Sequence, residues 1–201
     1  MEDSVFTPAL RAIPDVKSAD GVIMTKPWLE LCGYILPVID RFGAALALVK
    51  SDIGGNISRL QGIYDKHPEM YRDVYDIVRK EVAAKTARGS SSGTNGLLWL
   101  TRAMDFLVAM FKNLVDHADW SMHHVATEAY GATLKPYHGW FASSAFSVAL
   151  KLIPSRETFM KKLGGGDLEG DMAKFVDKFS PFLAQNHEFL KSEGLDDMKA
   201  S

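Results

Sequence analysis

Between Thr25 and Ser192 the apolar residues of this chain recur at helical spacing, and no stretch keeps the alternation of a half-buried strand. That period constrains the fold more than any other feature: apolar stripes on helices must be buried against other helices. Thr25-Lys26-Pro27 opens a first helix, with Thr25 as N-cap, that carries Trp28, Leu31, Ile35 and Leu36 towards Pro37. A second starts at Val38 or after Gly43 and runs to about Lys66, weakened by Gly54-Gly55 in its interior. His67-Pro68 starts the next. Gly89–Gly93 is a loop, after which Thr94 or Asn95 caps a long helix to about His117. Asp119 or Ser121 opens another, a sixth runs from Tyr137 to Ile153, a short one covers Ser155–Leu163, and Gly164-Gly165-Gly166 separates it from a last helix over Leu168–Ser192. The expected architecture is all-α, about eight helices in one domain spanning 1–201, with a core over about 25–192 and loose N- and C-terminal ends.

Composition narrows the function. With 201 residues, 47% of them hydrophobic and 24% charged, the chain can bury a sizeable core. A net charge of −2 and no basic run longer than two residues argue against nucleic-acid binding. The single cysteine, Cys32, leaves no internal disulfide and reads as a buried thiol in a reducing compartment. The first twenty residues lack a continuous apolar signal segment, so the sequon Asn56-Ile57-Ser58 is expected to be irrelevant. Leu97–Val115 is the most apolar stretch. Arg102, Asp105, Lys112 and Asn113 interrupt it, which marks a buried helix and not a membrane span.

Polar residues inside these apolar helices are the candidates for function. Asp52, Asn56 and Arg59 follow at i, i+4 and i+7, which at about 100° per residue places them on one helix face. They are an acceptor, a mixed donor and acceptor, and a fork of donors. A solvated face and a binding face are both open readings. Asn95, Trp99 and Arg102 repeat the spacing. Trp99 is either core or a flat platform for a pyranose ring, Asn95 either a cap or a ligand, and Arg102 and Asp105 are spaced for an ion pair. His138 is either structural or a hydrogen-bonding anchor. Trp140 and Phe141 point about 100° apart, so one of them is expected at the surface, where tryptophan suits a lipid–water interface. His123-His124 cannot both face one metal from a helix, no metal set or cofactor motif is present, and no nucleophile–base arrangement signals an enzyme.

Three segments together resemble the glycolipid transfer protein family: Lys50-Ser51-Asp52-Ile53-Gly54-Gly55-Asn56-Ile57, then Leu98-Trp99-Leu100-Thr101-Arg102, then Tyr137-His138-Gly139-Trp140. The resemblance covers about residues 25–190. It implies a two-layer helical sandwich enclosing a lipid-chain tunnel, and non-enzymatic carriage of one glycosphingolipid, such as glucosylceramide, between membranes. By the resemblance, Asp52 contacts sugar hydroxyls and the ceramide amide N–H, Asn56 the sugar, Trp99 stacks on it, and His138 holds the amide carbonyl. Arg59 and Asn95 join the head-group set, Phe106, Leu134 and Phe146 line the tunnel, and Trp140 with Phe141 docks on the membrane. A monomer is implied, cytoplasmic and reversibly membrane-associated, with no cofactor.

The chain departs from the animal-type pattern in three places. Arg59 stands where lysine is familiar, Asn95 where an apolar residue is common, and Leu195-Asp196-Asp197-Met198 offers no match to a C-terminal aromatic that helps close the site in some members. A sister branch carries ceramide-1-phosphate with basic residues where Asn56 and Trp99 stand. An amide and an indole favour sugar over phosphate. A non-transferring sphingolipid sensor or scaffold is the other alternative, and a helical hydrolase a weaker one.

Overall fold

The computed structural model describes residues 3–200; Met1, Glu2 and Ser201 lie outside the described residues. It is all-α, with ten α-helices and three 3-10 turns among the described residues. The helices are α1 (Thr7–Ala12), α2 (Thr25–Gly33), α3 (Leu36–Asp40), α4 (Ala47–Lys66), α5 (Val74–Ala83), α6 (Gly93–Asp116), α7 (Met122–Thr133), α8 (Trp140–Lys151), α9 (Arg156–Leu163) and α10 (Leu168–Ser192). No helix among the described residues is long and apolar enough to cross a membrane.

The long helix α6 organises the body: α4, α5, α7 and α10 all pack on it. Its sequence explains the position. Sixteen of its residues are buried, including Leu97, Leu100, Met104, Phe106, Leu107, Phe111 and Leu114, so it is apolar nearly all round. Its N-terminus is held twice. Ser92 accepts from the Asn95 N–H, and the Glu81 carboxylate of α5 accepts from the Gly93 and Thr94 N–H groups and the Thr94 hydroxyl. That carboxylate satisfies orphan donors and sits at the positive end of the helix dipole. Gly93 is required there, because a Cβ would lie 2.5 Å from Ile77 Cγ2 and 2.7 Å from Ile63 Cδ1.

Several boundaries differ from expectation. The first expected helix is two, because Pro37 sits in the first turn of α3 and cannot continue a helix with a backbone donor. Thr25 is the first residue of α2 and not its cap; its hydroxyl donates to the Tyr71 carbonyl. His67-Pro68 does not open a helix. Met24 and Asp73 pair the two chain segments instead, with Thr25 N–H on Arg72 O and Val74 N–H on Ile23 O, and α5 starts only after Asp73, which caps it. Lys135–Tyr137 forms a 3-10 turn and α8 begins at Trp140, so His138 lies in extended backbone between them.

Among the described residues, the segments at both ends of the chain pack on the body. Phe6, Ala9 and Val16 are fully buried, and Ser4 donates to Asp171 of α10. At the other end Leu195 and Met198 are buried and the backbone of 194–200 is bonded to three separate parts of the molecule. The tail reads as polar in sequence, but two apolar side chains three residues apart are enough to anchor it.

Candidate functional site

One end of the molecule carries a polar pocket of about 520 Å³. Asp52 contributes from α4, Asn95 and Trp99 from α6, His138 and Ala142 from the start of α8, Ser90 and Arg88 from the loop before α6, and Met198, Lys199 and Ala200 from the C-terminal segment. An apolar cavity of about 270 Å³ adjoins it, lined by Leu48, Val49, Ala103, Leu134, Phe141, Ala145 and Phe146. Asp52, Trp99, His138 and Ala142 line both. The site is therefore amphiphilic along its length, with those four residues at the junction.

Trp99 is half-buried, and its indole lies over the His138 ring, 5.8 Å between centroids and 25° between planes. Below it the Arg102 guanidinium sits 4.9 Å from the Trp99 ring and 3.5 Å from that of Tyr137. Arg102 does not pair with Asp105. It is buried, donating to the Met198 and Asp196 carbonyls, while Asp105 is bonded to His187 at 2.5 Å. Burial lowers the Arg102 pKa. Burial, then the charge of Arg102, also lowers that of His138, which keeps the imidazole neutral at pH 7. Tyr130 Oη lies 3.1 Å from His138 Nδ1 and 3.3 Å from Ser143 Oγ, and its ring stacks on Phe146. The Tyr130 hydroxyl has one proton: on Ser143 Oγ it leaves the phenolic oxygen to accept from Nδ1–H, and turned to Nδ1 it leaves Nε2–H as a donor.

Asp52 faces solvent but in a concave surround. Desolvation raises its pKa, opposed by the Asn56 amide and the Arg59 charge. Asn56 is buried one turn further on, with Nδ2 lacking a protein partner. An unmet buried donor so close to a pocket carboxylate is costly unless something else satisfies it. Arg59 does not line the pocket. Its Nη1 donates to the carbonyls of Ser90 and Ser92 and lies 3.4 Å from Asn95 Oδ1, so it holds the loop and Asn95 in place. Phe106 is fully buried behind the apolar cavity, edge-on to Phe146 at 5.2 Å, whereas Leu134 and Phe146 line it directly. Trp140 and Phe141 are both at the surface, 83% and 81% exposed.

The sequence reading did not include Arg88, Ser90 or the C-terminal residues among the pocket walls. Arg88 and Ser90 lie in a loop with no periodicity to orient them. The tail carried one signal, the Leu195/Met198 spacing. Among the described residues no group of His, Cys, Asp and Glu is arranged to hold a metal.

A polar pocket opening into an apolar cavity on an all-helical body defines the class of helical lipid-binding proteins. Residues 23–165 match the family model for glycolipid transfer protein (GLTP), and the chain belongs to that family. It is 57% identical over 202 residues, covering both chains fully, to glycolipid transfer protein 1 of Arabidopsis thaliana. It is 32% identical to the glycolipid transfer protein of Danio rerio, over 82% of each chain. Among solved structures, the GLTP-fold structure of FAPP2, described as selecting simple glycosphingolipids, superposes with a TM-score of 0.89 at 27% identity, covering 99% of this chain and all of that one. Proteins of this family transfer lipids and are not enzymes.

Proposed function

We propose that this protein carries simple glycosphingolipids such as glucosylceramide between membranes, with the sugar in the polar pocket and the ceramide chains entering the apolar cavity. The observation that carries this reading is the junction: Asp52, Trp99, His138 and Ala142 border both the polar and the apolar space. An amphiphile with a polar ring joined to two chains through an amide fits that order. Trp99 offers its face to the sugar, as indole does to other flat apolar surfaces. Asp52 accepts from sugar hydroxyls and the amide N–H, and neutral His138 donates to the amide carbonyl. Asn95 adds a sugar contact. The free Nδ2 of Asn56 is left to donate to the sugar, and Arg59 acts from behind, through the loop carbonyls and Asn95.

Arg59 is spent on loop carbonyls, Arg88 in the pocket wall donates to the Gly194 carbonyl, and Asn56 and Trp99 supply no charge; Lys199 also lines the pocket, but a phosphate would want several cations, so sugar is favoured. The apolar cavity, about 270 Å³, is smaller than the two hydrocarbon chains of a ceramide, so loading widens it. Trp140 and Phe141 dock the molecule on the bilayer surface reversibly. Burial of a methylene is worth about 0.8 kcal/mol, but the bilayer provides nearly the same, so selectivity rests on the polar pocket. The protein works in the cytoplasm as a monomer, consistent with one buried free thiol.

The test is transfer of glucosylceramide, galactosylceramide, lactosylceramide and ceramide-1-phosphate, measured side by side between vesicles. Glucosylceramide should move and ceramide-1-phosphate should not. Preferential movement of ceramide-1-phosphate would overturn the reading, and binding without movement would favour a sensor.

A further inference from the structure

Three serines in a row precede α6, and the fold uses the hydroxyl of only one. Ser92 is buried, donates to the Ala87 carbonyl at 2.7 Å and accepts from the Asn95 N–H at 2.9 Å. Ser90 and Ser91 are exposed in the turn between α5 and α6, and neither hydroxyl has a hydrogen-bond partner among the described residues. Of the three, only Ser90 lines the polar pocket.

The surroundings of Ser90 are cationic. Arg59 holds the loop at this residue: a single nitrogen, Nη1, serves the carbonyls of Ser90 at 3.0 Å and Ser92 at 3.3 Å and lies 3.4 Å from Asn95 Oδ1. Arg88, two residues before Ser90 and itself exposed, and Lys199 line the same pocket. A free serine hydroxyl in an exposed turn, with arginine two residues before it, suits a serine kinase whose peptide groove is acidic.

We infer, resting on the sugar reading given above, that Ser90 is a phosphorylation site for an arginine-directed serine kinase, and that its phosphate shuts the polar pocket to the sugar head group. In the reaction Ser90 Oγ attacks the γ-phosphorus of ATP. The new Oγ–P bond replaces the bond from that phosphorus to the β,γ-bridging oxygen, ADP leaves, and the hydroxyl proton passes to a carboxylate of the kinase. The product carries about −1.5 to −2 charges at pH 7 and three acceptor oxygens. Arg59 Nη2, which has no partner among the described residues, and Lys199 are the donors for them. A guanidinium drawn to the phosphate gives up Asn95 Oδ1, its longest contact, and so releases an amide that the sugar reading assigns to the head group. The phosphate also enters a pocket that Asp52 lines, where the two anions repel. Sugar hydroxyls then compete with a tethered group that cannot diffuse away.

The experiment has two arms. In the first, the full chain is incubated with magnesium, ATP and protein kinase A or the catalytic domain of protein kinase C, and the phosphate is mapped by peptide mass spectrometry. Ser90 should be the modified residue, and Arg88→Ala should lower its modification at least fivefold. Phosphate on neither serine, or on Ser91 alone, overturns the inference. In the second arm phosphoserine is encoded at position 90, or at 91 for comparison, and helicity is checked by circular dichroism. Glucosylceramide transfer between phosphatidylcholine vesicles should fall at least tenfold with phosphate at 90 and recover after phosphatase treatment. An unchanged rate overturns the inference, and so does an equal fall with phosphate at 91, which marks a general charge effect. Should the unmodified protein move no glucosylceramide, the sugar reading falls and the blocking role with it, whereas the modification site is still decided by the mass spectra.

Discussion

His187 has both ring nitrogens bonded to carboxylates, Asp105 at 2.5 Å and Asp196 at 2.6 Å. Both nitrogens are donors only in the imidazolium, and the pair of acids raises its pKa to about 9. A histidine whose folded pKa exceeds its unfolded value of about 6.5 contributes stability that is complete below that pH and is lost as pH rises through the folded pKa. Unfolding free energy from urea titration should therefore decline between about pH 6.5 and 9, and His187→Gln should remove that part of the decline. The pocket residues carry a different expectation. Trp99→Ala removes the stacking platform and Asp52→Val the junction acceptor, and neither side chain is fully buried. Glucosylceramide transfer should fall by at least tenfold in both, about 1.4 kcal/mol of lost recognition, while helicity and thermal midpoint stay near those of the unaltered protein. Retention of transfer by both would remove the sugar site from this end of the molecule.

Helix α4 shows how the same residue type differs between elements. Gly54 and Gly55 read in sequence either as weak points or as sites of close backbone approach. A Cβ at either meets nothing within 4 Å, so no protein group uses the space. Gly55→Ala should stabilise the fold by about 0.5–1 kcal/mol, raising the thermal midpoint by roughly 1–4 °C. Gly93→Ala at the start of α6 should act in the opposite sense, because Ile77 and Ile63 fill the place of its Cβ. Overpacking of that kind costs about 1–3 kcal/mol, and the difference between the two variants is readable in one calorimetric series. The start of α5 carries the lesson about legibility. Pro68 is a good helix starter in sequence, yet Arg72 and Val74 pair with the chain before α2, and Asp73 caps the helix five residues later. A contact across some fifty residues overrides a local signal.

For the molecule as a whole, two of the exposed apolar side chains, Leu48 at the start of α4 and Phe141 of α8, line the apolar cavity, and exposed Trp140 precedes Phe141 in the chain. Isolated exposed apolar residues need no explanation, but a cluster bordering an apolar cavity does. Trp140→Ala/Phe141→Ala should reduce vesicle-to-vesicle transfer and vesicle association together, with the thermal midpoint unmoved since both side chains are in water. Equal transfer by this variant would place membrane docking elsewhere.

The all-α class and the central apolar helix α6 follow from sequence alone, because helical period is a local property; the start of α7 stayed open between Asp119 and Ser121 until the structure showed Ser121 as its cap, and Asp52, Trp99 and His138 were grouped by a three-part family resemblance. Tertiary structure decided where the remaining side chains are used. Arg59 left the pocket for loop carbonyls, Arg102 turned from the acid three residues away to the tail, and the tail itself became a pocket wall. The reason is common to all three. A long cationic side chain has many reachable acceptors within its own helix and beyond it, and the choice among them is made by which carbonyls the packed fold leaves unsatisfied nearby.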